Sequence, residues 1–181
     1  MNLLLFPGAG SSSTHPSLLA IEKAVAPMRV TRADFPYRKA GRKAPDRTPV
    51  LLQTVRDEAA PLLADGLVLG GRSMGGRMCS MAVADVDEPL PALGLVLISY
   101  PLHPPGKPDT LRIEHLPRLT VPCLFIHGTR DAFGTPEQLQ HWTATIPGKV
   151  THHWIEGRAH DLKGCDAVIA ATVAAWISTL G

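Results

Sequence analysis

Gly70-Gly71-Arg72-Ser73-Met74-Gly75-Gly76 stands between an apolar run, Leu67-Val68-Leu69, and a helix-forming stretch, Arg77 to Val86. The inner residues Gly71-x-Ser73-x-Gly75 form the G-x-S-x-G pattern, in which a serine occupies a sharp strand-to-helix turn and presents its hydroxyl outward. The turn forces that serine into a strained backbone conformation, so the residues two before and two after it must be small. Gly76 allows a close approach of helix and strand. The pattern therefore predicts a strand, a tight elbow and a helix, and it makes Ser73 a candidate nucleophile. Around it the chain must supply a base, an acid and donors for a developing negative charge.

Outward from the elbow, short apolar runs recur. Leu3-Leu4-Leu5-Phe6, Leu95-Val96-Leu97-Ile98 and Cys123-Leu124-Phe125-Ile126 are continuous rather than alternating, as in strands buried on both faces of a parallel sheet. Arg29 to Phe35 is less apolar and belongs nearer an edge, and Val150 to Ile155 is a sixth strand. Helices are expected from about His15, with Pro16 at a first-turn position that needs no N–H, and from Pro49 with Val50, Leu51, Val55, Ala59 and Leu62 on one face. Two more follow: one from Pro136 to about Thr145 behind the capping box Thr135-x-x-Gln138, and one over Leu162 to Leu180, with Asp161 as its cap. This β-α alternation, repeated six times, predicts an α/β fold over 1–181: a single-domain, three-layer α/β/α sandwich around a mostly parallel six-stranded sheet. Pro101 to Pro117 holds five prolines and leaves no room for a helical cap.

In open α/β sheets, functional groups collect at the carboxyl ends of the strands. There the first strand delivers Pro7-Gly8-Ala9-Gly10, the third Ser73, the fifth Asp131 and the sixth His160. A serine hydroxyl attacks only when a base takes its proton, a histidine does so near neutral pH, and an aspartate holds the imidazole in the required tautomer. Met74, opening the elbow helix, offers one backbone N–H to an oxyanion. Ala9 is expected to offer the second, with Gly10 as the alternative. Gly10, His15, Arg72 and Tyr100 are candidate substrate-lining residues, Arg72 having a structural ion pair as its competing role. No His, Cys, Asp and Glu set has metal-ligand spacing, so neither a metal nor another cofactor is expected.

The remaining composition narrows the function classes. Of 181 residues, 45% are hydrophobic and 19% charged, and the net charge of +2 is too small to argue for nucleic acid or a membrane surface. The apolar start at Met1 to Phe6 has no basic leader and ends at Pro7-Gly8, unlike a signal peptide. Three cysteines without C-x-x-C spacing fit a reducing, cytoplasmic setting. The segment from Pro36 to Thr48 carries Arg38, Lys39, Arg42, Lys43 and Arg47, either as a solvated loop or as a basic rim that attracts an anionic substrate or partner.

Several of these stretches carry a resemblance. They are Pro7 to Gly10, Phe35-Pro36-Tyr37, Gly71 to Arg77, Tyr100 to Lys107, His127 to Asp131 and His160-Asp161-Leu162. Together they make the chain resemble the α/β-hydrolase superfamily over its whole length, and within it the dienelactone-hydrolase-like proteins. The closest likeness is to the small group related to a testis-expressed hydrolase-like protein and to subunit 3 of the non-specific-lethal chromatin complex. The chain departs from the superfamily's habits in having Pro7 where His often precedes the oxyanion glycine, and from dienelactone hydrolases in having Ser73 where they use cysteine. The resemblance implies a minimal hydrolase fold and a Ser73–His160–Asp131 triad acting on a small-molecule acyl or ester substrate, in a monomer or homodimer. A non-catalytic scaffold, or a peptidase or lactonase using the same triad, are the alternatives.

Overall fold

A computed structural model describes residues 1–180. Six strands, β1 (Asn2–Phe6), β2 (Arg29–Arg32), β3 (Leu67–Arg72), β4 (Gly94–Ile98), β5 (Cys123–Gly128) and β6 (Val150–Ile155), form one sheet in the order β2-β1-β3-β4-β5-β6. Every neighbouring pair is parallel. The four inner strands are the continuous apolar runs, and their residues are buried throughout. The less apolar strands, β2 and β6, are the two edges and are only partly covered. Apolar density thus placed β2 at an edge as expected, while the edge position of β6 was not anticipated.

Helices cover both faces. On one side α1 (Pro16–Ala24) and α6 (Asp166–Ile177) pack Leu18, Ile21, Ile169 and Val173 against Leu3, Leu5, Val68, Val96 and Ile126. On the other, α3 (Thr48–Ala59), α4 (Met74–Val83) and α5 (Pro136–Thr143) bury Leu51, Val55, Met78, Cys79 and Leu139 against Leu4, Phe6, Leu69, Leu97 and Phe125. Alternate residues of one strand feed opposite cores because successive side chains leave a strand on opposite faces. The Thr135 capping box is present as expected, with Thr135 Oγ1 accepting from the Gln138 N–H and Gln138 Oε1 accepting from the Thr135 N–H.

Three expectations about elements need correction. The connection from β4 to β5 contains a 3-10 turn, Leu116–Arg118, and no α-helix, so the β-α alternation is broken once where the prolines crowd. The last helix begins at Asp166, not Leu162. Leu162 and Gly164 adopt positive φ, 47° and 75°, in an intervening turn, and Asp161 caps nothing in α6. Within the basic segment Pro36 to Thr48, a short helix, α2 (Pro36–Lys39), forms, and two of the five cations are paired, Lys39 with Glu58 and Arg42 with Asp46. Among the described residues, no helix is long and apolar enough to cross a membrane.

Candidate active site

The elbow has the strain that its pattern requires. Ser73 lies at φ 47°, ψ −117°, between β3 and α4, a conformation that costs a non-glycine residue about 1–3 kcal/mol and persists only when its surroundings enforce it. Here the Ser73 N–H donates to the Ile98 carbonyl at 2.8 Å, and its own carbonyl accepts from the Arg77 N–H at 3.0 Å. Gly75 is needed for space. A Cβ there would lie 2.5 Å from the Pro7 carbonyl oxygen and 2.6 Å from that of Phe6, so only glycine lets α4 start against the end of β1.

His160 arrives from the far edge of the sheet. The loop after β6 lies directly over the end of β5, where a Cβ on Gly128 would come within 2.7 Å of the Arg158 carbonyl carbon and 2.9 Å of the Ala159 oxygen. The Arg130 N–H donates to the Arg158 carbonyl at 2.9 Å and ties the two loops together. As a result His160 Nε2 stands 2.9 Å from Ser73 Oγ, and its Nδ1 stands 2.8 Å and 3.0 Å from the two Asp131 oxygens. With Nδ1–H donating to a carboxylate, Nε2 is left as an acceptor for the serine hydroxyl proton.

Asp131 is inaccessible to water. Its Oδ1 also accepts the Phe133 N–H at 2.8 Å, and the buried His127 ring approaches Oδ2 at 3.4 Å while its Nε2–H donates to the Gly134 carbonyl at 3.0 Å. Burial drives the His127 pKa below its ordinary value, with Asp131 and the Gly134 bond opposing. His127 is thus a buried, hydrogen-bonded histidine that packs against Asp131.

Ala9 and Met74 border the same cavity as Ser73 and His160. Met74, the first residue of α4, has no intrahelical acceptor for its N–H. Among the described residues, the Ala9 N–H has no protein acceptor either. The Gly8 to Ser13 loop is pinned from outside: the Tyr37 hydroxyl donates to the Ala9 carbonyl at 2.8 Å, and Asp34 accepts from the Ser13 N–H and hydroxyl, each at 2.7 Å. Tyr37 belongs to the Phe35-Pro36-Tyr37 stretch, to which the sequence alone assigned no role.

The cavity has a volume of about 560 Å³, within the range of small-molecule sites. Gly10, His15 and Arg72 line it. His15 also caps α1, accepting the Ser17 N–H at Nδ1, and burial followed by the charge of Arg72 lowers its pKa. Among the described residues Arg72 makes no ion pair. It donates to Ser17 Oγ at 3.3 Å and to the Asp161 carbonyl at 2.7 Å, so the carbonyl of the supposed cap residue holds an arginine instead. Tyr100 is a correction: it is buried, packs edge-on against Phe125, and spends its hydroxyl on the Arg112 carbonyl at 2.7 Å. Its chain neighbour Pro101 is at the wall in its place. Sequence reading missed Arg77, Arg112, Phe133 and Pro45, all of which border the cavity. Only Arg77 left a signal, four residues after Ser73 and so on the same helix face.

A sequence model of the family described as "Alpha/beta hydrolase domain" matches residues 1–173. Among solved structures, Est1E from Butyrivibrio proteoclasticus superposes with a TM-score of 0.75 at 14% identity, covering 98% of this chain and 87% of that one. The monoacylglycerol lipase of Paleococcus ferrophilus gives 0.77 at 15% identity over 99% and 94%. A structure from work on the metagenome-derived lipolytic enzymes LipS and LipT gives 0.78 at 16% over 98% and 93%. At these identities the likeness is one of fold.

Proposed function

Because the chain belongs to the alpha/beta hydrolase domain family, we propose that it is a serine hydrolase of carboxylic esters or related acyl compounds. The observation that carries this reading is the unbroken chain Ser73 Oγ–His160–Asp131, with links of 2.9 Å and 2.8 Å. Ser73 Oγ attacks the acyl carbonyl while His160 Nε2 takes its proton, and Asp131 stabilises the resulting imidazolium. The N–H groups of Met74 and Ala9 receive the oxyanion, each worth about 10²–10³ in rate. His160 returns the proton to the leaving alcohol. A water molecule, deprotonated by the same histidine, then attacks the acyl-serine and releases the acid and the free enzyme.

Within the family, the motifs from Gly71 to Arg77 and from Tyr100 to Lys107 support a place among the dienelactone-hydrolase-like proteins. The three cysteines are free and buried, which supports a reducing, cytoplasmic setting. The substrate is taken to be a small molecule, and the working unit a monomer or homodimer.

The test is covalent labelling with a fluorophosphonate probe alongside hydrolysis of p-nitrophenyl acetate. Wild type should label and turn over, and Ser73→Ala should do neither. An unlabelled, inactive but folded wild type would overturn the reading.

A further inference from the structure

Three arginines, Arg72, Arg77 and Arg112, border the cavity that holds Ser73, although the whole chain carries a net charge of only +2. Among the described residues none of the three is in an ion pair. Arg72 is already bonded to Ser17 and Asp161 and so contributes charge rather than donors. Arg77 and Arg112 are different. Among the described residues the one hydrogen bond of the Arg77 side chain goes to the Met81 sulfur, at 3.4 Å, and its buried Nε has no acceptor. Arg112 is held through its backbone, by Leu102 and Tyr100, while its side chain has no hydrogen bond among the described residues. Burial, then the charge of Arg112, push the Arg77 guanidinium below its ordinary pKa, and exposed Glu114 opposes least of all. Among the described residues the one carboxylate residue at the wall is Asp161, which is exposed.

Two neighbouring guanidiniums with free donors are a site for a planar oxyacid anion, which they bind by paired N–H···O bonds. Arg77 lies in the first turn of α4, directly after the elbow, and borders the same cavity as Ser73, so the anion would share that cavity with the attacked carbonyl. Resting on the serine-hydrolase reading, we propose that Arg77 and Arg112 select acyl esters whose acid part bears a second, anionic carboxylate: half-esters of dicarboxylic acids. The basic loop that first suggested an anionic substrate is thus partly tied up in ion pairs, and the cations inside the cavity take that role.

The experiment compares monomethyl adipate with methyl hexanoate, esters of equal acyl length that differ in the terminal carboxylate, by pH-stat at low salt. Wild type should prefer the anionic ester by about tenfold or more in kcat/KM, the usual worth of a charged hydrogen bond. Arg77→Gln and Arg112→Gln should each reduce that ratio toward one, and Arg112→Lys should restore part of it. Among the described residues the Arg112 side chain makes no hydrogen bond or ion pair, so that variant is expected to fold. In parallel, calorimetry with Ser73→Ala should detect adipate binding that weakens in the Arg112→Gln background, while inorganic phosphate as competitor tells a general anion site from a carboxylate site. A labelled, active wild type with no preference overturns the anion proposal alone. Arginine-dependent adipate binding by a wild type that neither labels with fluorophosphonate nor hydrolyses p-nitrophenyl acetate would remove the hydrolase reading and leave the anion site standing. A labelled wild type that turns over neither methyl ester would overturn the half-ester proposal. Stronger binding of phosphate than of adipate would overturn the carboxylate assignment.

Discussion

Phe133 lies flat against the His160 imidazole, ring centroids 3.8 Å apart and planes 25° from parallel, while its backbone N–H holds Asp131 Oδ1. One residue therefore supports both members of the proposed acid–base pair, Asp131 and His160. Removing the ring frees the imidazole to leave Ser73, and a misplacement of about 1 Å can cost roughly 10²-fold in rate. Phe133→Ala should lower kcat by about 10–100-fold and slow fluorophosphonate labelling in parallel, with Phe133→Leu intermediate. An unchanged kcat in a folded Phe133→Ala would mean the stack positions nothing.

Asp131→Asn tests the other support. The amide can still accept the Phe133 N–H through its oxygen, so the fold should survive. An amide nitrogen facing His160 Nδ1 favours the tautomer with the proton on Nε2, which cannot accept from Ser73. A fall in kcat of about 10³–10⁴ is expected with little change in melting temperature. A loss below tenfold would separate Asp131 from the reaction.

At the elbow, Gly75→Ala places a methyl group against two carbonyl oxygens of Phe6 and Pro7. Backbone cannot move aside as a side chain can, so the cost should reach the upper end of overpacking, about 3 kcal/mol. The urea midpoint reads it directly, and a shift below about 1 kcal/mol would show that the β1–α4 contact yields. The same change moves the Pro7 to Ala9 segment and should depress labelling of Ser73.

His115 predicts a pH dependence of stability. Buried beside Ser80 Oγ at 2.8 Å, its pKa is pulled from 6.5 to about 4, first by desolvation and then by Arg77 and Arg118. The unfolded chain therefore takes up the proton first as pH falls. Stability is undiminished above 6.5, drops between 6.5 and about 4, and levels off below. The full effect is up to about 3 kcal/mol. Urea unfolding at pH 7 and pH 4.5 should show a smaller acid loss in His115→Gln than in wild type, and equal losses would contradict the assignment.

The thiols give a chemical check on the core. All three cysteines are free and buried, and desolvation pushes the Cys123 thiol up to about 12 and raises Cys79 as well. Because thiolate is the reacting form, Ellman's reagent should find no fast thiol in the native protein and three in denaturant. A rapid native thiol would show that one of these packing sites opens.

Much of the sheet was legible because a strand buried on both faces leaves an uninterrupted apolar run, and Leu3 to Phe6 and Leu95 to Ile98 are such runs. The meeting of Ser73, His160 and Asp131 was legible for a related reason: strand ends converge, and each of the three follows a strand. What escaped lies in loops whose path is decided by packing. Phe133 and Arg112 reach the cavity from segments with no periodicity. The turn at Leu162 to Gly164 was hidden because Leu162 is apolar and in phase with the helix that begins four residues later. Tyr100 ended up in the core rather than the wall because a strand end says where a residue is, not which way its ring turns once the chain leaves the ladder.

The edge position of β6 has a further consequence. His160 reaches Ser73 only through the loop that follows this strand, and β6 is paired on one side alone, with β5. Edge elements open at lower free energy than the centre of a sheet. Detachment of β6 would therefore withdraw His160 while Ser73 stayed seated between β3 and α4, on the inner strands. Reactivity at Ser73 becomes a gauge of that one edge: as denaturant rises, it should fade before the cooperative loss of the inner strands.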